Sequence, residues 1–187
     1  MTTPRAITLG TLILTIAYAV VRYNVFKAIA WHHLPLFVLN KAVAWTATTL
    51  LLIAAVRAVA RRENLLASPW LGIATGMGAV HVLMSLVLLS PERYASLYDA
   101  SRQLSWVGEL ALLGGVVATV SNVLARRHKA AALFLPVAIV LHCTALGAHG
   151  WLTPSQWPGY MPPITLVCAV TATAASVIAA RAIHRVE

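Results

Sequence analysis

Residues 70–90 read WLGIATGMGAVHVLMSLVLLS, a stretch with no charged side chain and a single histidine, His81, near the middle. As a helix this stretch would be about 30 Å long, the thickness of a bilayer core. Five further apolar stretches accompany it. The expected spans are Ala6–Val21, Pro35–Val56, Trp70–Ser90, Leu104–Leu124, Ala130–Leu152 and Ile164–Ala180. The chain has 187 residues, 60% of them hydrophobic and 10% charged, with a mean hydropathy of +0.80. A water-soluble domain carries about 25% charged residues, so this much apolar surface has no soluble core to hide in. The fold class read from this is all-α: a polytopic membrane protein, one six-transmembrane-helix bundle over residues 1–187.

The distribution of charge sets an expected orientation. Nine basic residues (Arg5, Arg57, Arg61, Arg62, Arg126, Arg127, Lys129, Arg181 and Arg185) fall on one side of the spans. Four (Arg22, Lys27, Arg93 and Arg102) fall in the connections of the other side, and Lys41 lies just inside the second span. The positive-inside rule then makes both termini cytoplasmic, with a bacterial inner membrane as the expected location. The net charge of +9 is read as topogenic signals and headgroup contacts; no nucleic-acid partner is implied, since no long basic run or soluble domain is present. The first span is short and extends if Arg22 snorkels to the surface. Its start resembles a signal peptide, with Arg5, an apolar run and Ala17-Tyr18-Ala19, but is read as a retained helix.

Among the connections, residues 153–163 read TPSQWPGYMPP, whose four prolines preclude regular helix. Trp157 and Tyr160 suit the interfacial aromatic belt, and the loop is expected to fold back as a cap. Cys143 and Cys168 form no CxxC pair and are read as small packing residues.

The residues that could carry chemistry are few. His81 follows Trp70, and His142 follows Ala130, by about three helical turns. Spans three and five run in the same direction, so both imidazoles are expected at the same depth, roughly 16–18 Å from one face. An intramembrane histidine marks a functional site by default. Two at one level could hold the iron of a single haem b as axial ligands, which gives a six-coordinate electron-transfer centre. Gly72, Gly76, Gly78, Gly114 and Gly115 would leave room for the porphyrin, although small residues at such spacing also serve ordinary helix packing. Pro136 could bend span five around it. His149, one heptad past His142, is a candidate for a propionate contact, a proton relay, or an external metal shared with His32 and His33. A solvated interfacial role is the plainer alternative. Lys41 and Glu109 are expected at similar depth and are read as an ion pair, with Asn40 and Ser105 as hydrogen-bond partners. Lys41 is also a candidate to neutralise a haem propionate.

This arrangement resembles the ferric-reductase-like transmembrane domain family, the six-helix haem-b module of ferric reductases, NADPH oxidases and the membrane subunit of bacterial methionine-sulfoxide reduction. The resemblance rests on HVLMSLVLLS, beginning at His81, and on RRHKAAALFLPVAIVLH, which sets His128 about four turns before His142. The family carries paired histidines on its third and fifth helices at about that separation. Here the equivalent positions before and after His81 are Ala67 and Ala95, so the resemblance implies at most one haem, ligated by His81 and His142.

Two functions from different classes follow. The first is a membrane cytochrome b-like electron-transfer protein, passing electrons between a quinone pool or a redox partner subunit and an acceptor on the outer face. The second is a non-catalytic accessory or scaffold subunit of a larger membrane complex, without its own cofactor. A transporter ranks behind both, since no inverted repeat is found. A membrane hydrolase lacks any catalytic triad or phosphate loop.

Overall fold

A computed structural model describes residues 3–184, with the backbone alone for Ile183 and His184. Met1, the Arg185 charge and the His184 side chain therefore lie outside the described residues. Six long helices form: α1 (Pro4–Val20), α2 (Leu39–Arg61), α3 (Pro69–Leu88), α4 (Trp106–Leu124), α5 (Lys129–Trp151) and α6 (Ile164–His184). All six spans, some with their flanking turns, are long and apolar enough to cross a bilayer, so the chain is an integral membrane protein.

Local chemistry explains most of the helix ends. Pro4 and Pro69 open α1 and α3, where a missing N–H costs nothing. Ser105 caps α4 by accepting from the Gly108 N–H at 3.2 Å, and Glu109 in the first turn complements the helix dipole. Arg62, at φ 54°, ends α2 in the left-handed conformation. The first span runs past its expected end through a wider π-type turn, Val21–Phe26, and stops where Ala28 turns left-handed. The second begins early, through short turns at Trp31–His33 and Leu34–Val38.

Five helices close a ring in which α2 packs on α3, α3 on α4, α4 on α5, α5 on α6, and α6 back on α2. The α3–α4 seam is the loosest of the five, and α1 lies outside the ring against α2. Alanines dominate the interior: Ala54, Ala74, Ala132, Ala175 and Ala179 with Leu50, Leu71 and Leu135 at the end carrying most of the arginines, the basic end. Such small side chains let backbones approach, which replaces the hydrophobic drive missing in lipid. Leu14, Leu83, Val87, Leu113, Val123 and Val170 point outward, as a surface solvated by acyl chains requires.

The opposite end, with the longer connections, is the loop end. There TPSQWPGYMPP does fold back as a cap. Trp157 Nε1 donates to the Gly150 carbonyl at 2.8 Å and Tyr18 donates to that of Pro162 at 2.8 Å. Gly159, at φ 58°, sits against the Phe26 ring where no Cβ would fit. Arg22 does not snorkel outward. It is buried and donates to the Met161 carbonyl, pinning α1 to the cap.

Candidate functional site

His81 on α3 and His142 on α5 each lie about three and a half turns past the start of their helix, so the two parallel helices carry them to nearly the same level. Each is half-buried. His81 Nδ1 is 2.7 Å from Asn40 Oδ1 and 3.3 Å from the Asn40 backbone oxygen. Both oxygens can only accept, so Nδ1 carries the proton. The backbone oxygen accepts whichever way the amide is turned, and Asn40 Nδ2 in turn donates to Ser85 Oγ at 2.9 Å. His142 Nδ1 is 2.7 Å from the Ala111 carbonyl oxygen on α4 and must likewise donate.

Neither Nε2 has a hydrogen-bond partner among the described residues, and the Nδ1 contacts place a ring proton on Nδ1 of each imidazole. An imidazole whose Nδ1–H is tied to a carbonyl while Nε2 presents a lone pair is in the form that ligates a metal. His142 and Lys41 are both within electrostatic reach of His81. Two imidazoles of this kind are the donor pair that a six-coordinate haem iron takes. Gly76, on an exposed part of α3, faces open space.

The other glycines take the second of the two expected roles, helix packing. A Cβ on Gly114 would come within 3.1–3.3 Å of the His142 backbone and Cβ, and one on Gly115 within 3.4 Å of its ring. These two residues let α5 close on α4 so that His142 reaches the Ala111 carbonyl. Gly72 accommodates the Arg126 guanidinium, and Gly78 the Asn122 amide, which donates to the Thr75 carbonyl at 2.9 Å. They serve packing rather than room for a macrocycle.

The expected Lys41–Glu109 ion pair is not formed. Glu109 is exposed on α4, whereas Lys41 turns into a box of aromatic rings. Its Nζ is 4.3 Å from the Phe37 centroid, 5.4 Å from that of Tyr23 and 5.6 Å from that of Tyr94. Equal depth did not bring the pair together because α2 packs on α1, α3 and α6, while α4 packs on α3 and α5. Asn40 partners His81 and Ser85 instead, and Ser105 caps its own helix. Tyr94, on the connection before α4, also bonds the Asn40 side chain, and its partial burial pushes the phenol above its usual value, against smaller opposing effects of Asn40 and Arg93.

The remaining candidates stay apart. His149 is exposed, about 10 Å further along α5 than His142. The His32 and His33 rings lie 4.1 Å apart and exposed, and no three His, Cys, Asp or Glu side chains come together among the described residues. The external metal site is therefore not assembled. Cys143 and Cys168 are buried and free, as packing residues would be, yet their thiols meet across the α5–α6 contact. Asn40, Phe37 and Tyr94 were the residues sequence reasoning left without their actual roles. The adjacent polar pair Asn40-Lys41 within an apolar span was the available signal.

No protein-family model matches this chain, and no curated protein matches it significantly.

Proposed function

We propose that this chain is a membrane cytochrome b-like electron-transfer protein that holds one haem b between α3 and α5, with His81 and His142 as axial ligands. One observation supports it above the rest: both Nδ1–H groups are tied to carbonyl oxygens, and both Nε2 lone pairs are left without a partner among the described residues. Haem, when bound, supplies reversible one-electron transfer. The chain's own residues do the rest. Asn40 and the Ala111 carbonyl hold the tautomer and aim of the two rings, and Lys41 supplies positive charge beside His81. In this reading the termini are cytoplasmic, the membrane is a bacterial inner membrane, and a quinone or a redox partner subunit exchanges electrons with the haem. The likeness to the ferric-reductase-like module belongs to the same proposal, in a one-haem form.

Haem counted per chain tests it. Wild type and His149→Ala should retain one haem, and His81→Ala and His142→Ala should retain none while keeping wild-type helix content. Equal haem content in all four proteins would remove both histidines from the role.

The accessory-subunit reading draws on an open apolar groove between α5 and α6, lined by Val140, Trp151, Leu166, Val170, Ala174 and Val177. It requires a stoichiometric partner to co-purify under native detergent conditions; a clean single chain with haem argues against it.

A further inference from the structure

Two cations flank one ring at the loop end. The Arg22 Cζ atom is 5.6 Å from the Tyr23 centroid and Lys41 Nζ is 5.4 Å from it. Arg22 is only 6% exposed. One of its nitrogens donates to the Met161 carbonyl, and its Nε is buried without a partner among the described residues. Lys41 has aromatic rings on three sides and no hydrogen-bond or ion-pair partner among the described residues. Ring faces attract an ammonium, but they accept no directed hydrogen bond of the strength that water or a carboxylate offers.

No acidic side chain among the described residues supplies the missing counter-charge. It has five acidic residues. Glu63 pairs with Arg57 at the basic end, and Glu92 pairs with Arg102. Asp99 accepts from the N–H groups of Ser101 and Gln103 at 2.8 and 2.9 Å. Glu109 is exposed on α4, and Glu187 lies outside the described residues. Lys27 adds a further positive charge within electrostatic reach of Lys41. Charges at membrane depth are kept where a partner or a pathway answers them.

We propose that Arg22 and Lys41 form an anion-binding site at the loop end, taking the oxygens of a carboxylate or phosphate group. The guanidinium offers a directed donor and the ammonium a point charge with three free N–H groups, a combination suited to such oxygens. Tyr23, Phe37 and Tyr94 wall the site and keep competing water from Lys41. Two sources share this chemistry: a propionate of a porphyrin held at His81 and His142, or the phosphate of a bilayer lipid. Only the first rests on the haem reading; the site itself stands without it.

The experiment uses the full chain purified in detergent, with and without haem. Phosphatidylglycerol and diacylglycerol binding is counted by native mass spectrometry, and haem b is compared with its dimethyl ester in titrations of the apo-protein. Wild type should prefer the anionic member of at least one pair by roughly tenfold or more, the worth of one or two charge-assisted hydrogen bonds. Lys41→Met and Arg22→Met should abolish that preference, and Lys41→Arg should keep it. A preference within the lipid pair alone assigns a headgroup, and one within the haem pair alone assigns a propionate. A chain that binds no haem yet selects phosphatidylglycerol overturns the haem reading and leaves the site intact. Wild type binding both members of each pair alike overturns the proposal, without recourse to any variant. So does a Lys41→Met protein of unchanged melting behaviour that still selects the anion.

Discussion

Replacing Asn40 by leucine removes the amide that aims His81 and changes the volume of the side chain little. Asn40 is 1% exposed, so no bulk water can take over its bonds. The substitution deletes the 2.7 Å acceptor of His81 Nδ1–H and leaves that proton only the 3.3 Å contact with the backbone oxygen of residue 40. It also removes the donor to Ser85 Oγ. An under-satisfied buried donor costs about 1–3 kcal/mol. Loss of an outer-shell partner of a ligating histidine typically weakens metal affinity about 10- to 100-fold, or about 1.4–2.8 kcal/mol. The two figures agree, so Asn40→Leu should bind haem roughly 10- to 100-fold more weakly than wild type. The assay is a haemin titration of apo-protein followed in the Soret region, alongside thermal melting in the same detergent. Asn40→Asp, which keeps the acceptor and adds negative charge, should instead retain haem and lower its midpoint potential, by about 59 mV for each tenfold shift toward the ferric form. Unchanged haem affinity in a normally melting Asn40→Leu protein refutes the reasoning.

Gly114→Ala should destabilise by about 1–3 kcal/mol, because the new methyl meets the His142 backbone and Cβ at 3.1–3.3 Å and neither helix can yield freely. Gly76→Ala, with nothing within 4 Å, should be neutral or gain up to ~1 kcal/mol from helix propensity; thermal unfolding of the two variants side by side checks the contrast. The Thr15 and Thr46 hydroxyls meet at 2.7 Å between α1 and α2, so a double-mutant cycle through Thr15→Val and Thr46→Val should give a coupling of about 0.6 kcal/mol and no more than ~1.7 kcal/mol. The phenol of Tyr94 has its pKa raised in the fold, chiefly by burial, above about 10 in the unfolded chain. The unfolded state therefore deprotonates first, and stability falls as pH rises from about 10 through the folded value. Tyr94→Phe should lose less melting temperature than wild type between about pH 9 and 11.

The fold was legible because bilayer thickness leaves a helix little freedom in length. Pro69, Ser105 and Pro163 punctuate the apolar runs, and the observed helices begin at or beside them. Depth along each helix followed from the same rise per residue, which is why His81 and His142 emerge level. Rotation about the helix axis and the identity of each neighbour were not legible. Lys41 and Glu109 share a depth but sit on helices that take different neighbours, and Cys143 and Cys168, distant in sequence, meet because α5 and α6 are paired. The wide turn at Val21–Phe26 was hidden as well. That turn carries Arg22, which bonds the Met161 carbonyl, a long-range contact with no local sequence signature. Asn40 illustrates the middle case: its polarity within an apolar span signalled a partner, and only the packing of α2 on α3 made that partner His81.

The central claim is that two neutral imidazoles from α3 and α5 ligate one haem iron. The most direct measurement is the absorption spectrum of the wild-type chain, produced with ample haem and recorded oxidised and then reduced with dithionite. A Soret band that shifts on reduction, sharpened visible bands and one haem per chain are predicted, all lost when either His81 or His142 becomes alanine. A colourless, folded protein under those conditions would contradict the account.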